Sequence, residues 1–288
     1  MVSGLTMSFI CVDLVVILAL FIVPAIVLFK KYRTSWAAFG IGCATFVIFA
    51  LVLEQILHTV VLASPLGETI QNTVWMYALY GGLAAGVFEE VGRLVAMKFC
   101  LKKQMANNHN ALMYGAGHGG VEALIIVGLT MFNNIVYCVM INTGMMQSVL
   151  DAAPSEASRE QLQAIVTQLV EAPSSLYLVA PVERVSAILL HIALSVLVWI
   201  AVKNRQSIYF IVAIIFHTVV DAVTVIVNAN GVNYWVLEAI VFAMSVVVAL
   251  VAYMAWKDKL TDGIPADEIS ADEIPTDGIF ADEASVDE

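Results

Sequence analysis

Charge is what this sequence has least of. Only 13% of its 288 residues are charged and 61% are hydrophobic, whereas a soluble domain carries charge on about a quarter of its residues. That shortage excludes a water-soluble globular fold. Cysteine is also sparse: Cys11, Cys43, Cys100 and Cys138 sit in or at the ends of apolar segments without CxxC spacing. A disulfide framework and a thiolate metal site are thereby excluded, and the four read as packing residues. The chain has neither the HExxH of soluble zinc peptidases nor the GxSxG of a serine-hydrolase elbow, so common soluble hydrolase sites are excluded. A cleavable signal peptide is not evident either. The first apolar segment runs into Lys30-Lys31-Tyr32-Arg33 instead of a small-residue cleavage site, so it is expected to remain as a span.

What the chain does have is long hydrophobic runs. Seven of about 20 residues or more lie near 7–29, 36–58, 74–99, 111–142, 176–202, 207–228 and 234–256. The expected fold is an all-α polytopic membrane bundle of about seven transmembrane helices over residues 1–257. The fourth run is too long for one straight crossing and is expected to tilt or to break at Asn133-Asn134. Basic residues cluster at Lys30, Lys31 and Arg33, at Lys98, Lys102 and Lys103, at Lys203 and Arg205, and at Lys257 and Lys259. Seven alternating spans put all four clusters on one side, which the positive-inside rule assigns to the cytoplasm. The N-terminus is then outside and the C-terminus inside, in a membrane of bacterial cytoplasmic type.

Two segments fall outside the bilayer in this reading. Residues 155–171 open on an N-cap at Ser155 and place Leu162, Ile165, Val166, Leu169 and Val170 on one face, as an external amphipathic helix does. It serves as a connector resting on the bundle or, in a sharper reading, as a lid. Residues 258–288 hold a degenerate acidic pentapeptide repeat from Thr261 with too little apolar surface to fold. Disorder is expected there. The repeat supplies much of the net charge of −11; it names no partner, and no nucleic-acid partner is expected.

The few polar residues inside the runs carry the functional argument, because ionised groups at the bilayer centre cost several kcal/mol each. The third run has Glu89, Glu90 and Arg93, with Arg93 in reach of either carboxylate. The fourth has His118 and Glu122 one turn apart, the fifth Glu183 and His191 on a shared face, and the sixth His217 and Asp221 one turn apart. Counting residues from the predicted cytoplasmic ends gives depths of roughly 10 Å to 21 Å for this set. Four helices therefore converge on one polar layer. Gly82 and Gly86 lie on the face of Glu90, and Gly115 and Gly119 flank His118, which suits either close packing around a site or ordinary small-residue packing. Glu54 and His58, with Asp13, Glu238 and His109, are expected nearer the interfaces.

Imidazoles and carboxylates are the usual non-thiolate ligands of zinc, and a free glutamate beside a metal-bound water is the base of metal-assisted hydrolysis. The bland account competes for each residue. Arg93 neutralises one of the two glutamates and leaves the other for chemistry; Arg184 pairs with Glu183, which weakens Glu183 as a site residue; His191 lacks a carboxylate one turn away. Buried carboxylate and histidine relays also serve proton- or ion-coupled transporters. Against transport, the chain shows no inverted repeat and no paired Gly/Pro-broken helices.

In this order on successive helices, EExxR at Glu89 to Arg93, GHGGVE at Gly117 to Glu122, ERxxxxxxH at Glu183 to His191 and HxxxD at His217 to Asp221 resemble the YhfC-type intramembrane metalloproteases. That group is similar to the CAAX-prenyl-protease and bacteriocin-processing membrane enzymes. The resemblance covers roughly residues 5–257. It implies that Glu89 and Glu90 match a double glutamate whose one member activates water, that Tyr114 and His118 match an aromatic-x-x-x-His helix, and that His217 matches the last histidine. The chain departs from the wider pattern. Arg93 is one position closer, Asp221 replaces an asparagine, Glu122 is an extra carboxylate, and His191 has no direct counterpart. The implied activity is hydrolysis of a peptide bond in a membrane-embedded or membrane-associated substrate, with zinc on His118 and His217 helped by His191 or Asp221, or without metal. A transporter, or a non-catalytic peptide-binding relative, is the alternative.

Overall fold

The computed structural model describes residues 1–260. The acidic repeat and its expected disorder lie outside the described residues. Among these residues the secondary structure is entirely helical. The main elements are α1 (Gly4–Tyr32), α2 (Trp36–Leu62), α3 (Val74–Val95), α4 (Asn110–Thr143), α5 (Glu156–Glu171), α6 (Val179–Asn204), α7 (Ser207–Ala229) and α8 (Tyr234–Lys259). In α1, Ser3 caps the first turn by accepting from the Thr6 amide at 3.0 Å. Arg33 and Arg205 end α1 and α6 in the left-handed region, with φ of 52° and 56°, and let the next helix begin within three residues. A cation there also complements the negative end of the helix dipole.

Six of these helices are long and apolar enough to cross a membrane: α1, α2, α4, α6 with its preceding turn, α7 and α8. Their outward residues are large and apolar, for example Val15, Leu18 and Ile22 on α1 and Val247, Leu250 and Met254 on α8. Apolar side chains facing outward around a helical bundle are what a lipid solvent requires, and the chain is an integral multipass membrane protein. Helix α3 has the length of a span, 22 residues, but carries Glu89, Glu90 and Arg93 within it. It lies along α7 and also touches α2 and α6. Helix α6 is the central post: 72% of its apolar window is buried, against 22% to 33% in the other five. It packs on α4, α7 and α8.

Helix α4 is not broken at Asn133-Asn134. It runs through both asparagines, and its irregularity is a π-helical turn at Leu124–Gly128. Within lipid the backbone bonds have to be kept inside the segment, so two carboxamides change the side-chain surface without ending the helix. Helix α5 starts from Ser155, whose hydroxyl accepts from the Ser158 amide at 3.2 Å. Leu169 is buried and Leu162, Ile165 and Val166 are half-buried, as the sequence predicts, whereas Val170 is exposed.

Glycine sets the separation of α2 and α4. A Cβ at Gly117 would lie 2.2 Å from the Phe39 carbonyl oxygen, and one at Gly42 would lie 2.3 Å from that of Tyr114. Both neighbours are backbone, so neither can swing away. Replacing Gly117 by alanine should destabilise the detergent-purified protein by at least about 2 kcal/mol. Gly40→Ala and Gly81→Ala, where a Cβ meets nothing within 4 Å, should leave the thermal transition in place. Equal transitions for all three variants would refute the close approach.

Candidate metal centre

The four polar helices do meet. From α3, Glu89 and Glu90 point toward different partners. The His118 Nε2–H on α4 donates to Glu89 Oε2 at 2.8 Å, and the His217 Nδ1–H on α7 donates to Glu90 Oε1 at 2.9 Å. Arg93 donates through Nη1 to Glu90 at 2.6 Å and through Nη2 to His191 Nδ1 on α6 at 3.1 Å. Because His191 Nδ1 accepts, its proton resides on Nε2, which faces Glu122 Oε2 at 2.5 Å. The three imidazoles lie side by side, with ring centroids 4.9 Å apart for His118 and His191 and 5.4 Å for His191 and His217. All three are buried, as are Glu89, Glu90 and Arg93.

Small residues make this proximity geometrically accessible. Gly115 and Gly119 on α4 face Ile192, His191 and Ile188 on α6, while Gly82 and Gly86 on α3 face Thr218 and its neighbours on α7. Side chains in these positions would hold the helices too far apart for imidazole to reach carboxylate. Tyr114, one turn before His118 on α4, is fully buried with its ring centroid 6.1 Å from that of His118. Asp221 Oδ2 lies 3.5 Å from His217 Nε2 and its side chain is 37% exposed, so it borders open space beside the buried set.

The two glutamates part company on charge. Glu90 is fully enclosed and takes Arg93, while Glu122 and Glu183 share the Arg184 guanidinium, 2.7 Å from Glu122. Among the described residues no arginine or lysine pairs with Glu89; its partners are His118 at 2.8 Å and His191 at 3.8 Å. A buried carboxylate needs a compensating cation or proton. Glu89, His118 and His191 each offer a ligand atom, and these atoms lie within 4.8 Å of one another. Two imidazoles beside one carboxylate are a set that zinc and its neighbours in the first transition row accept, the carboxylate serving as a ligand or as the base of a bound water. On chemistry and charge these residues fit a divalent metal.

Two residues reach further than their spacing indicates. Arg184 is expected to pair with Glu183, and does, but it also crosses to Glu122, sixty-two residues away. Glu54 lies nearer the cluster than its spacing suggests: it is buried, and Glu89, His217 and Asp221 are its electrostatic neighbours. Helix α2 continues to Leu62 instead of stopping near residue 58, which puts Glu54 two turns inside the helix. It lies at the end of a second π-helical turn, Phe49–Glu54, and such turns often mark functional sites. His58 joins it to Tyr80, with contacts of 3.1 Å and 2.9 Å. Asp13 and Glu238 are likewise buried. The sequence signal for Glu54 is its one-turn spacing from His58, and the longer α2 brings it toward the cluster.

Comparison with known proteins places this geometry in a family. Residues 14–241 match the model of the YhfC intramembrane metalloprotease family. A similar protein is the uncharacterized membrane protein YhfC of Bacillus subtilis strain 168, 36% identical over 228 residues, covering 78% of this chain and 84% of the relative. No solved structure matches. The match spans every helix that contributes to the polar cluster, from α1 into α8, and the chain belongs to the YhfC intramembrane metalloprotease family.

Proposed function

We propose that this protein is a zinc-dependent intramembrane endopeptidase that cleaves a membrane-embedded or membrane-associated peptide, in a bacterial cytoplasmic membrane. The observation that carries the reading is the Glu89–His118–His191 cluster, drawn from three helices and buried in the bundle. In this reading α3 is a seventh span, the N-terminus is outside, and the C-terminus is cytoplasmic.

His118 and His191 would be the nitrogen ligands, His191 through Nδ1 once the Arg93 guanidinium moves off that atom. A bound zinc supplies Lewis-acid polarisation of the substrate carbonyl and lowers the pKa of a bound water. Glu89 is the base. It retains 9% side-chain exposure while Glu90 has none, so of the two it is the carboxylate that a water can approach and that can take a proton. Glu90 is a positioning residue. Its Oε1 receives both Arg93 and His217, fixing the guanidinium beside His191 and the imidazole of His217 edge-on to that of His191. The Arg184–Glu122 pair supports His191 from its other nitrogen, the kind of outer contact that orients a metal-binding imidazole. Asp221, at the exposed edge, faces the space from which water or substrate enters.

Metal analysis of the full chain in detergent tests the assignment. About one zinc per chain should be found in the wild type and lost in His118→Ala and His191→Ala. Glu89→Gln should retain it while cleavage of a membrane-anchored substrate falls at least about 100-fold. A folded wild type that holds no metal after zinc is added back would sink the metalloenzyme. Loss of zinc from Glu89→Gln would make Glu89 a ligand instead of the base.

Arg93 separates positioning from chemistry. Arg93→Met leaves the Glu90 carboxylate without its guanidinium and should cost about 3–5 kcal/mol of stability, read as a large fall in the thermal transition. Arg93→Lys keeps the charge but not the fork that reaches both Glu90 and His191. It should fold, keep zinc and lose turnover. An Arg93→Met protein as stable as the wild type would remove the ion pair from the account.

A further inference from the structure

The asparagine pair that fails to break α4 has another role. Asn133 and Asn134 line a cavity of about 360 Å³ between α4, α5 and the turn that leads into α6. Tyr137 and Tyr177 stand in its wall, and α5 forms its roof through Gln168 and the buried Leu169. The roof is fastened: the Tyr177 hydroxyl donates to the Gln168 carbonyl at 3.4 Å. The carboxamides are not consumed by the protein. Asn134 Nδ2 meets only the Met131 sulfur, at 3.9 Å, and Asn133 makes no side-chain hydrogen bond among the described residues.

The lining selects a ligand class. Its side chains are apolar, hydroxyl or carboxamide, and none is charged, which disfavours a phosphate or carboxylate headgroup because nothing compensates the charge. A carboxamide offers both donor and acceptor, the complement of a peptide bond. An extended peptide in a membrane must satisfy each N–H and C=O on protein, and a cavity this size falls within the usual range of roughly 300–1,000 Å³ for ligand sites. Asn134 lies sixteen residues beyond His118 on one helix, roughly 24 Å along its axis. About seven residues of extended chain cover that distance.

We propose that this cavity is a recognition subsite for a neutral, extended peptide segment, roofed by α5 and placed about seven residues from the bond to be cut. Its distance from the scissile bond rests on the peptidase reading above; its binding of peptide is tested separately. The probe is a synthetic single-span peptide with an uncharged flank carrying a benzophenone, photolysed with the full-length chain in nanodiscs of phosphatidylethanolamine and phosphatidylglycerol. Cross-links should map to residues 130–137 or 165–180. They should fall at least tenfold in Asn133→Leu/Asn134→Leu and in Gln168→Leu, the latter replacing an exposed residue of α5 whose side chain makes no hydrogen bond among the described residues. They should persist in Glu89→Gln. Cross-links elsewhere, yields untouched by the Asn and Gln substitutions, or a cavity found filled by lipid that the peptide fails to displace would each overturn the subsite. Cross-linking retained by a wild type that cleaves nothing would leave the subsite standing and bring down the peptidase.

Discussion

One buried guanidinium organises this membrane bundle. Arg93 reaches Glu90 on its own helix and His191 on α6, while the same Glu90 oxygen also receives His217 from α7. Three helices are thus tied through a few atoms. A lone arginine or glutamate in the hydrocarbon region costs several kcal/mol, and removing one partner of a buried pair exposes that cost in full. The charges consequently come as a set. Arg184 gathers Glu122 and Glu183 in the same way, and His191 joins the two sets, with Nδ1 toward Arg93 and Nε2 toward Glu122. A histidine that both ion networks touch is held in tautomer and orientation from either side.

The backbone answers to the same constraint. Imidazole and carboxylate meet at hydrogen-bond distance only if the helices that carry them approach closely, and the glycines of α3 and α4 stand where α7, α6 and α2 come nearest. Helical regularity yields locally to this demand. π-helical turns end on Glu54, begin three residues after Arg93 and begin two residues after Glu122. Each turn adds a residue to the helix near a charged group and so resets which face the next side chains present.

Much of this was legible from single-helix patterns. The one-turn spacings, with about 1.5 Å of rise per residue, bring Glu90, His118, Glu122, His191 and His217 to one layer, and the contacts between their helices are those that convergence requires. The pairing of Arg93 with one member of Glu89 and Glu90 was equally visible. Which member was not, since that depends on His118 of α4 meeting Glu89 and His217 of α7 meeting Glu90. His191 shows the limit most clearly. On its own helix it has no carboxylate one turn away, so spacing ranks it low, yet Glu122 and Glu89 come to it from α4 and α3. A contact between helices leaves no periodic trace in either one. Glu54 lies nearer the cluster than its spacing suggests for a simpler reason, the continuation of α2 to Leu62.

The helix least suited to lipid is the one that holds the site together. Helix α3 falls outside the set of apolar spans because its own residues include Glu89, Glu90 and Arg93, so it is secured by protein on several sides: α7 along its length, α2 and α6 beside it. Dispensing with those three charges would make α3 a better membrane helix and a worse partner, since the ties to His118, His191 and His217 would go with them. The sole carboxylate of the Glu89–Glu90 pair without a guanidinium is also the one in contact with His118. A fold selected for stability alone would have no reason to leave Glu89 without a permanent cation while matching its neighbour. The unmatched charge is therefore where a metal ion, a proton or a reacting water has something to offset, and the rest of the bundle encloses it.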